Sequence, residues 1–280
     1  MTRLGRALAW SAAIGWAGGC FTPSSIESHY NRGVDAYARG DLASAITEFG
    51  LELELRPQNH KAWYNLALAY DRQGQSGPAE RGYRKVLELQ PANAPAHISL
   101  AALLQEQGKP DEALRHLEQA TQAAPDRAYP LAALGYFHER RGDPARAREL
   151  YRQAAAREPT HVESNYRLGR LLLETNDVDG ALQYLEAALR VDPDDVPSLT
   201  AAARCYARKQ ERVKAILALQ RAELRAARIE PALYLELADL LEAEGRLEDA
   251  LRYVWNARDA GAPEAQTEPR RRRILKSMLE

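Results

Sequence analysis

The chain has 280 residues, of which 28% are charged and 45% hydrophobic, and its formal net charge is −1. A balance so near zero excludes the global basic field that draws a protein to nucleic acid, and the mixture suits amphipathic helices packed into a folded body. Two cysteines, Cys20 and Cys205, are too few for a disulfide framework. In chain order, Arg3 and Arg6 open on positive charge and residues 7–19 form an apolar run. A bilayer-spanning helix needs about 20 residues, so this run is too short to span. It fits the apolar core and small-residue exit of a secretory signal, and it ends at Cys20 behind Ala17-Gly18-Gly19.

Residues 1–19 followed by Cys20 resemble a bacterial lipoprotein signal, in which the cysteine becomes the acylated first residue. The resemblance implies a chain tethered to a membrane by lipid on Cys20. In Gram-negative bacteria an aspartate after that cysteine tends to retain the protein at the inner membrane; Phe21 stands there, which implies the periplasmic face of the outer membrane. Residues 20–25 form a short tether. Phe21 to Ser25 reach less than about 20 Å, so the first folded unit is expected close to the membrane surface.

A fixed beat begins next. Pro57, Pro91, Pro125, Pro159 and Pro193 each follow the last by 34 residues. Ala45, Ala79, Ala113, Ala147, Ala181 and Ala215 keep the same interval, and Ala250 resumes it after a one-residue slip. Gly40, Gly74, Gly108 and Gly142 mark a third phase, which Asn176 and Gln210 continue before Gly245 returns. Such spacing is one supersecondary unit copied along the chain. Glycine takes the left-handed turn after a helix without a Cβ penalty, and asparagine tolerates it. The alanine stands where two helices cross closely, and the proline ends the second helix. Ala147 is therefore a position intolerant of bulk, whereas Glu139 reads as a tolerant one.

These phases carry a resemblance to the tetratricopeptide repeat. One copy has Trp63, Leu66, Ala67, Tyr70, Ala79, Tyr83 and Pro91; another has Leu131, Leu134, Gly135, His138, Ala147, Tyr151 and Pro159. Units starting at 26, 60, 94, 128, 162, 196 and 231 give seven repeats over 26–264. The resemblance implies an all-α, right-handed superhelical solenoid. The unit from 196 has Ala227 where proline is expected and Gln210-Glu211 at its turn, so its second helix is expected to run on through Arg225 and Ala226. Residues 265–280 are expected to cap the open end of the solenoid, starting at Thr267-Glu268-Pro269 with Ile274, Leu275, Met278 and Leu279 as one apolar stripe.

In this family the first helix of each unit lines a concave groove through its second, fifth, sixth, ninth, twelfth and thirteenth positions. Carried to this sequence, that implies a partner-binding groove of Tyr30, Asn31, Tyr64, Asn65, Leu68, Tyr129, Tyr136 and Tyr166, leading to Arg167, Arg170, Arg204 and Arg208. Val34, Tyr37 and Ile98 fall at the same phases, and the seventh unit turns acidic with Glu236, Asp239 and Glu242. Tyrosines offer contact area at little entropic cost, and arginines can engage carboxylates through paired bonds. Four guanidinium groups in one trough repel unless acids intervene, and Glu163 and Glu174 are the evident candidates. Arg270, Arg271, Arg272 and Arg273 form the densest charge cluster, either a solvated cap exterior or a contact for an anionic surface.

No catalytic chemistry stands out. His29, His60, His97, His116, His138 and His161 fall at unrelated phases with no metal-ligand spacing. No nucleophile elbow is present, and the glycines belong to turns rather than a phosphate loop. Cys205 reads as a buried apolar residue. The sequence therefore implies no enzyme, no cofactor and no metal. It points to a lipid-anchored periplasmic scaffold that holds protein or peptide partners in its groove to assemble an envelope complex. By layout it resembles the repeat-containing pilotin lipoproteins of type IV pilus and secretin assembly. An adaptor for cell-wall hydrolases or proteases, and a regulatory subunit of a polysaccharide export system, remain open.

Overall fold

The computed structural model describes residues 28–226 and 230–280. The described residues form fifteen α-helices and no strand. The signal-like segment, Cys20 and the tether lie outside the described residues. Seven first helices are α1 (His29–Ala38), α3 (His60–Arg72), α5 (Ala94–Glu106), α7 (Ala128–Arg140), α9 (Val162–Glu174), α11 (Val196–Arg208) and α13 (Pro231–Ala243). Their second helices are α2 (Leu42–Leu55), α4 (Ser76–Leu89), α6 (Pro110–Ala123), α8 (Pro144–Arg157), α10 (Val178–Val191), α12 (Arg212–Arg225) and α14 (Leu247–Asp259). A last helix, α15 (Glu264–Ser277), follows.

Local chemistry sets these limits. Asp41, Asn59, Asn93, Asp143, Asp177 and Asp195 cap helix starts by accepting a backbone N–H with their side chains. Within each pair the chain turns through one left-handed residue. Asn176 and Gln210 adopt φ of 63° and 61° where other units use glycine, so Gln210 holds a conformation that ordinarily costs about 1–3 kcal/mol outside glycine.

The beat of alanines is the beat of helix crossings. Ala45, Ala79, Ala113, Ala147, Ala181, Ala215 and Ala250 have no exposed surface. Close approach also decides residue size at a second phase. A Cβ on Gly135 would meet the Tyr151 ring at 2.8 Å, while two other units pair Ala101 with Leu117 and Ala203 with Leu219, all buried. Residue size at this phase is settled unit by unit: Gly33 lies against the Phe49 ring and Gly169 against Leu185, where an added Cβ would come within 2.6 Å, while Ala67 stands at this phase in the unit of Tyr83.

Successive first helices touch directly at α1–α3, α5–α7, α7–α9 and α9–α11, and α13 touches the last helix α15, whereas among the described residues successive second helices do not pack in this way. The array therefore curves toward its first helices, which line the concave side, and the second helices form the outer face.

Two expectations are corrected. The second helix of the sixth unit is not longer: α12 ends at Arg225, and Ala226 leaves it at φ −68°, ψ 126°. Without proline, the chain breaks by turning to extended backbone. The final helix begins at Glu264, ahead of Thr267, with Pro269 inside it. Thr267 and Ile274 are both buried, and their seven-residue spacing puts them on one face two turns apart. Docking thus requires the turn that precedes Pro269. Leu275, Met278 and Leu279 are exposed, so Ile274 alone of the expected stripe enters the core.

Candidate functional site

The concave surface is built from side chains that first helices present at repeated phases. Toward its N-terminal end, Asn65 Nδ2 donates to Tyr30 Oη at 3.1 Å and Tyr64 Oη lies 3.1 Å from Ser99 Oγ. Each bond joins neighbouring units, so these hydroxyl and amide groups stitch the groove floor as well as facing it. Leu68 and Tyr166 are half-buried and Asn31 is exposed. Ile98 is buried; its side chain belongs to the core. Tyr129 and Tyr136 are the most open of the aromatic floor, at 51% and 40% exposure.

The arginines do not form one unpaired trough. Arg167 stacks over Tyr136, with the guanidinium carbon 4.5 Å from the ring centroid, and pairs with Glu163 and Glu139. Arg170 pairs with Glu139 and Glu174. Arg204 holds Glu236 by two nitrogens, the shorter bond 2.7 Å. Arg208 donates from Nη1 to the Leu173 carbonyl at 2.7 Å and to Asn176 Oδ1 at 3.3 Å, adding a side-chain donor to a carbonyl at the end of α9 that already accepts from the Asn176 N–H. The expected repulsion is thus absent, because acids and carbonyls of adjacent units meet each guanidinium. Arg204, Arg208, Glu236 and Asp239 line a cleft of about 290 Å³ between α11 and α13.

Glu139 is the residue that sequence reasoning passed over. Its carboxylate receives Tyr151 Oη at 2.9 Å in addition to Arg167 and Arg170, so it is a junction and not a tolerant surface position. A signal was present in the sequence. Asp71 and Glu139 occupy the twelfth place in units whose twenty-fourth residue is tyrosine, and Tyr83 Oη likewise donates to Asp71 at 3.2 Å. Burial pushes both tyrosine hydroxyls well above their ordinary pKa, which keeps them protonated as donors.

The acidic end and the basic cap neutralise each other. Arg270 binds Asp239 at 2.8 Å and Arg273 binds Asp239 and Glu242 at 3.0 and 2.5 Å. Arg271 and Arg272 share Glu268, each at 2.8 Å. Hydrogen bonds from Arg271 and Arg272 lower the Glu268 carboxyl to about 2. All four cap arginines are therefore engaged by acids of this chain. Two of them close the last first helix, which gives the cluster a docking role that charge density alone does not reveal.

One histidine fills a place that recurs in the repeat. His97 takes the place of Trp63 and Asn165, and all three bond the carbonyl of a proline six residues earlier, at 2.9, 2.8 and 2.8 Å. Because that carbonyl only accepts, Nε2 of His97 carries a proton, and in the neutral ring Nδ1 accepts a hydrogen bond from His116 Nδ1–H at 3.0 Å. Nineteen residues separate this pair, which hid it from any helical spacing. Cys205 is fully buried, and burial raises its thiol pKa to about 11.

Three family models, each described as tetratricopeptide repeat, match residues 60–93, 98–162 and 140–205. The chain is a tetratricopeptide repeat protein, and that class is one of protein-interaction scaffolds. Among solved structures it is similar to a chain of the APC/C hetero-tetramer Cut9–Hcn1, with TM-score 0.67 and 16% identity over 91% of this chain. It spans 50% of the length of that chain. It is also similar to PilF of Pseudomonas aeruginosa, with TM-score 0.66, 20% identity, and coverage of 75% of this chain and 95% of that one. PilW, a widely conserved type IV pilus biogenesis factor, aligns with TM-score 0.61 and 20% identity over 75% and 97% of the two chains. At these identities the likeness shows the fold alone. No curated protein sequence matches the chain.

Proposed function

We propose that the chain is a lipid-anchored periplasmic scaffold of the outer membrane, which holds protein partners in its groove while an envelope complex of the pilus or secretin kind assembles. The reading rests on one conjunction: an apolar run ending at Cys20, followed by a repeat array like those of PilF and PilW across nearly the whole of their chains. The lipid would fix one end of the array near the bilayer. The open tyrosines, Tyr129 and Tyr136, would supply rigid amphipathic contact area. A charge-neutral floor favours a partner segment recognised by shape, stacking and hydroxyl bonds.

The test has two arms in intact cells. Cys20→Ser should move the protein from salt-washed membranes to the soluble fraction with its helix content unchanged. Tyr129→Ala with Tyr136→Ala should keep the protein on the membrane while crosslinked partner drops at least tenfold. Retention of Cys20→Ser on the membrane would remove the lipid tether from the mechanism, and undiminished crosslinking by the tyrosine variant would remove the groove.

A further inference from the structure

The outer face carries a feature that the repeat does not require. On α12, Val213, Leu217 and Leu224 are 61%, 60% and 82% exposed. With Gln220 they stand at i, i+4, i+7 and i+11, one stripe spanning about 16 Å of helix. Leu217 has Thr47, Arg81, Arg115, Glu149, Gln183 and Arg252 as its counterparts on the other second helices. At the phase of Leu224 those helices carry Glu54, Glu88, Arg190 and Asp259 among others. Packing of the array needs none of the three aliphatic side chains, since Ala215, Ile216, Ala218, Leu219 and Ala222 already fill the buried face of α12.

One flank of the stripe is basic. Lys214, Arg221 and Arg225 follow one another down the same side of the helix, all more than half solvent-exposed or close to it at 64%, 50% and 57%. Arg221 and Arg225 share the single carboxylate of Asp194, at 2.9 and 3.0 Å, and Lys214 meets Glu211 at 2.5 Å. Three cations thus face two carboxylates. The residual positive charge lies along the edge of the apolar stripe.

That charge selects among occupants. A second copy that paired α12 with α12 antiparallel would do so about a twofold axis perpendicular to the helices, and that operation returns each flank to the same side. The basic row would meet its own copy. An anionic lipid surface would instead meet Glu248 and Asp259 on the neighbouring crest of α14, which Tyr253 Oη ties to Glu223 of α12 at 2.8 Å. A helix from another protein avoids both conflicts when it carries apolar residues at three- and four-residue spacing with carboxylates along one edge. We propose that the outer face of α12 is a second docking site, which takes an acidic amphipathic helix of a partner protein independently of the concave groove.

The test places a photoreactive benzoylphenylalanine at position 217 of the full chain in its native cells, with the same residue at position 183 as the repeat-matched control. The expected product is an adduct at 217, absent at 183, whose crosslinked segment has that apolar spacing and acidic edge when sequenced. A synthetic peptide of the segment should bind the purified chain and lose at least tenfold in affinity to Leu217→Ser with Leu224→Ser. That double variant should melt within about 2 °C of the parent, because both side chains stand in water. An adduct to lipid, to a second copy or to residues 7–19, or no adduct at all, overturns the proposal. So does a large fall in melting temperature, which would mean that the stripe packs against the chain itself.

Discussion

Gly135→Ala offers the sharpest check on the packing rule of this array. The added Cβ would lie 2.8, 3.0 and 3.2 Å from Cε1, Cδ1 and Cζ of Tyr151, and Tyr151 has no exposed surface into which it could swing. Overpacking of this kind costs about 1–3 kcal/mol. Alanine returns about 1 kcal/mol of that through its higher helix propensity, so a net loss of up to about 2 kcal/mol is expected. The same substitution should change sign after Tyr151→Leu. Leucine has no counterpart of Cε1 and Cζ, and Ala101 with Leu117 and Ala203 with Leu219 show that alanine and leucine fit at these two phases. In that background Gly135→Ala should stabilise by up to about 1 kcal/mol. Tyr151→Leu by itself forfeits the hydrogen bond to the Glu139 carboxylate at 2.9 Å, worth about 1.5–3 kcal/mol, which the double-mutant cycle subtracts. Urea unfolding of the four proteins at pH 7.5 gives the coupling directly. Gly169→Ala provides the contrast, because its Cβ would also meet the Ala181 backbone oxygen at 3.0 Å, which no shrinking of Leu185 can remove. Equal cost of Gly135→Ala in both backgrounds, within about 0.5 kcal/mol, would refute the argument that the ring dictates the glycine.

Acid should weaken the middle of the array. Burial lowers the pKa of His116, His138 and His161 from the ordinary value of 6.5, so the unfolded chain takes up protons first and stability falls as pH drops below about 6.5. Thermal melts between pH 7.5 and 5.5 should show the decline. His161→Asn should lessen it while preserving the cap that His161 Nδ1 provides to the Ser164 N–H at 3.2 Å; a pH-independent melting temperature would contradict the reading. Cys205, buried and with its thiol raised to about 11, should react with a thiol reagent at pH 8 at least a hundredfold more slowly in the native chain than in urea, and comparable rates would place it at the surface.

The sequence by itself carried the helix pairs, because each unit restates the same local requirements. A residue that tolerates positive φ must follow the first helix, a small one must stand at the crossing, and a breaker must end the second helix. The structure shows all three at Gly74, Ala79 and Gln90 before Pro91. Those requirements act within one unit, so they repeat at 34 residues and can be counted. Tertiary structure decided what the groove offers. Arg167, Arg170 and Arg204 read as a basic trough with only Glu163 and Glu174 to offset it, because their further partners Glu139 and Glu236 stand 28 to 32 residues away on other first helices. Arg270 and Arg273 read as an outward basic patch until α15 folds back onto Asp239 and Glu242. Charges this far apart in sequence meet only when neighbouring units stack, and long side chains settle their partners by that stacking. Helix starts and turns are local and survive in the sequence pattern; the neutralisation of a surface is a property of the assembled array.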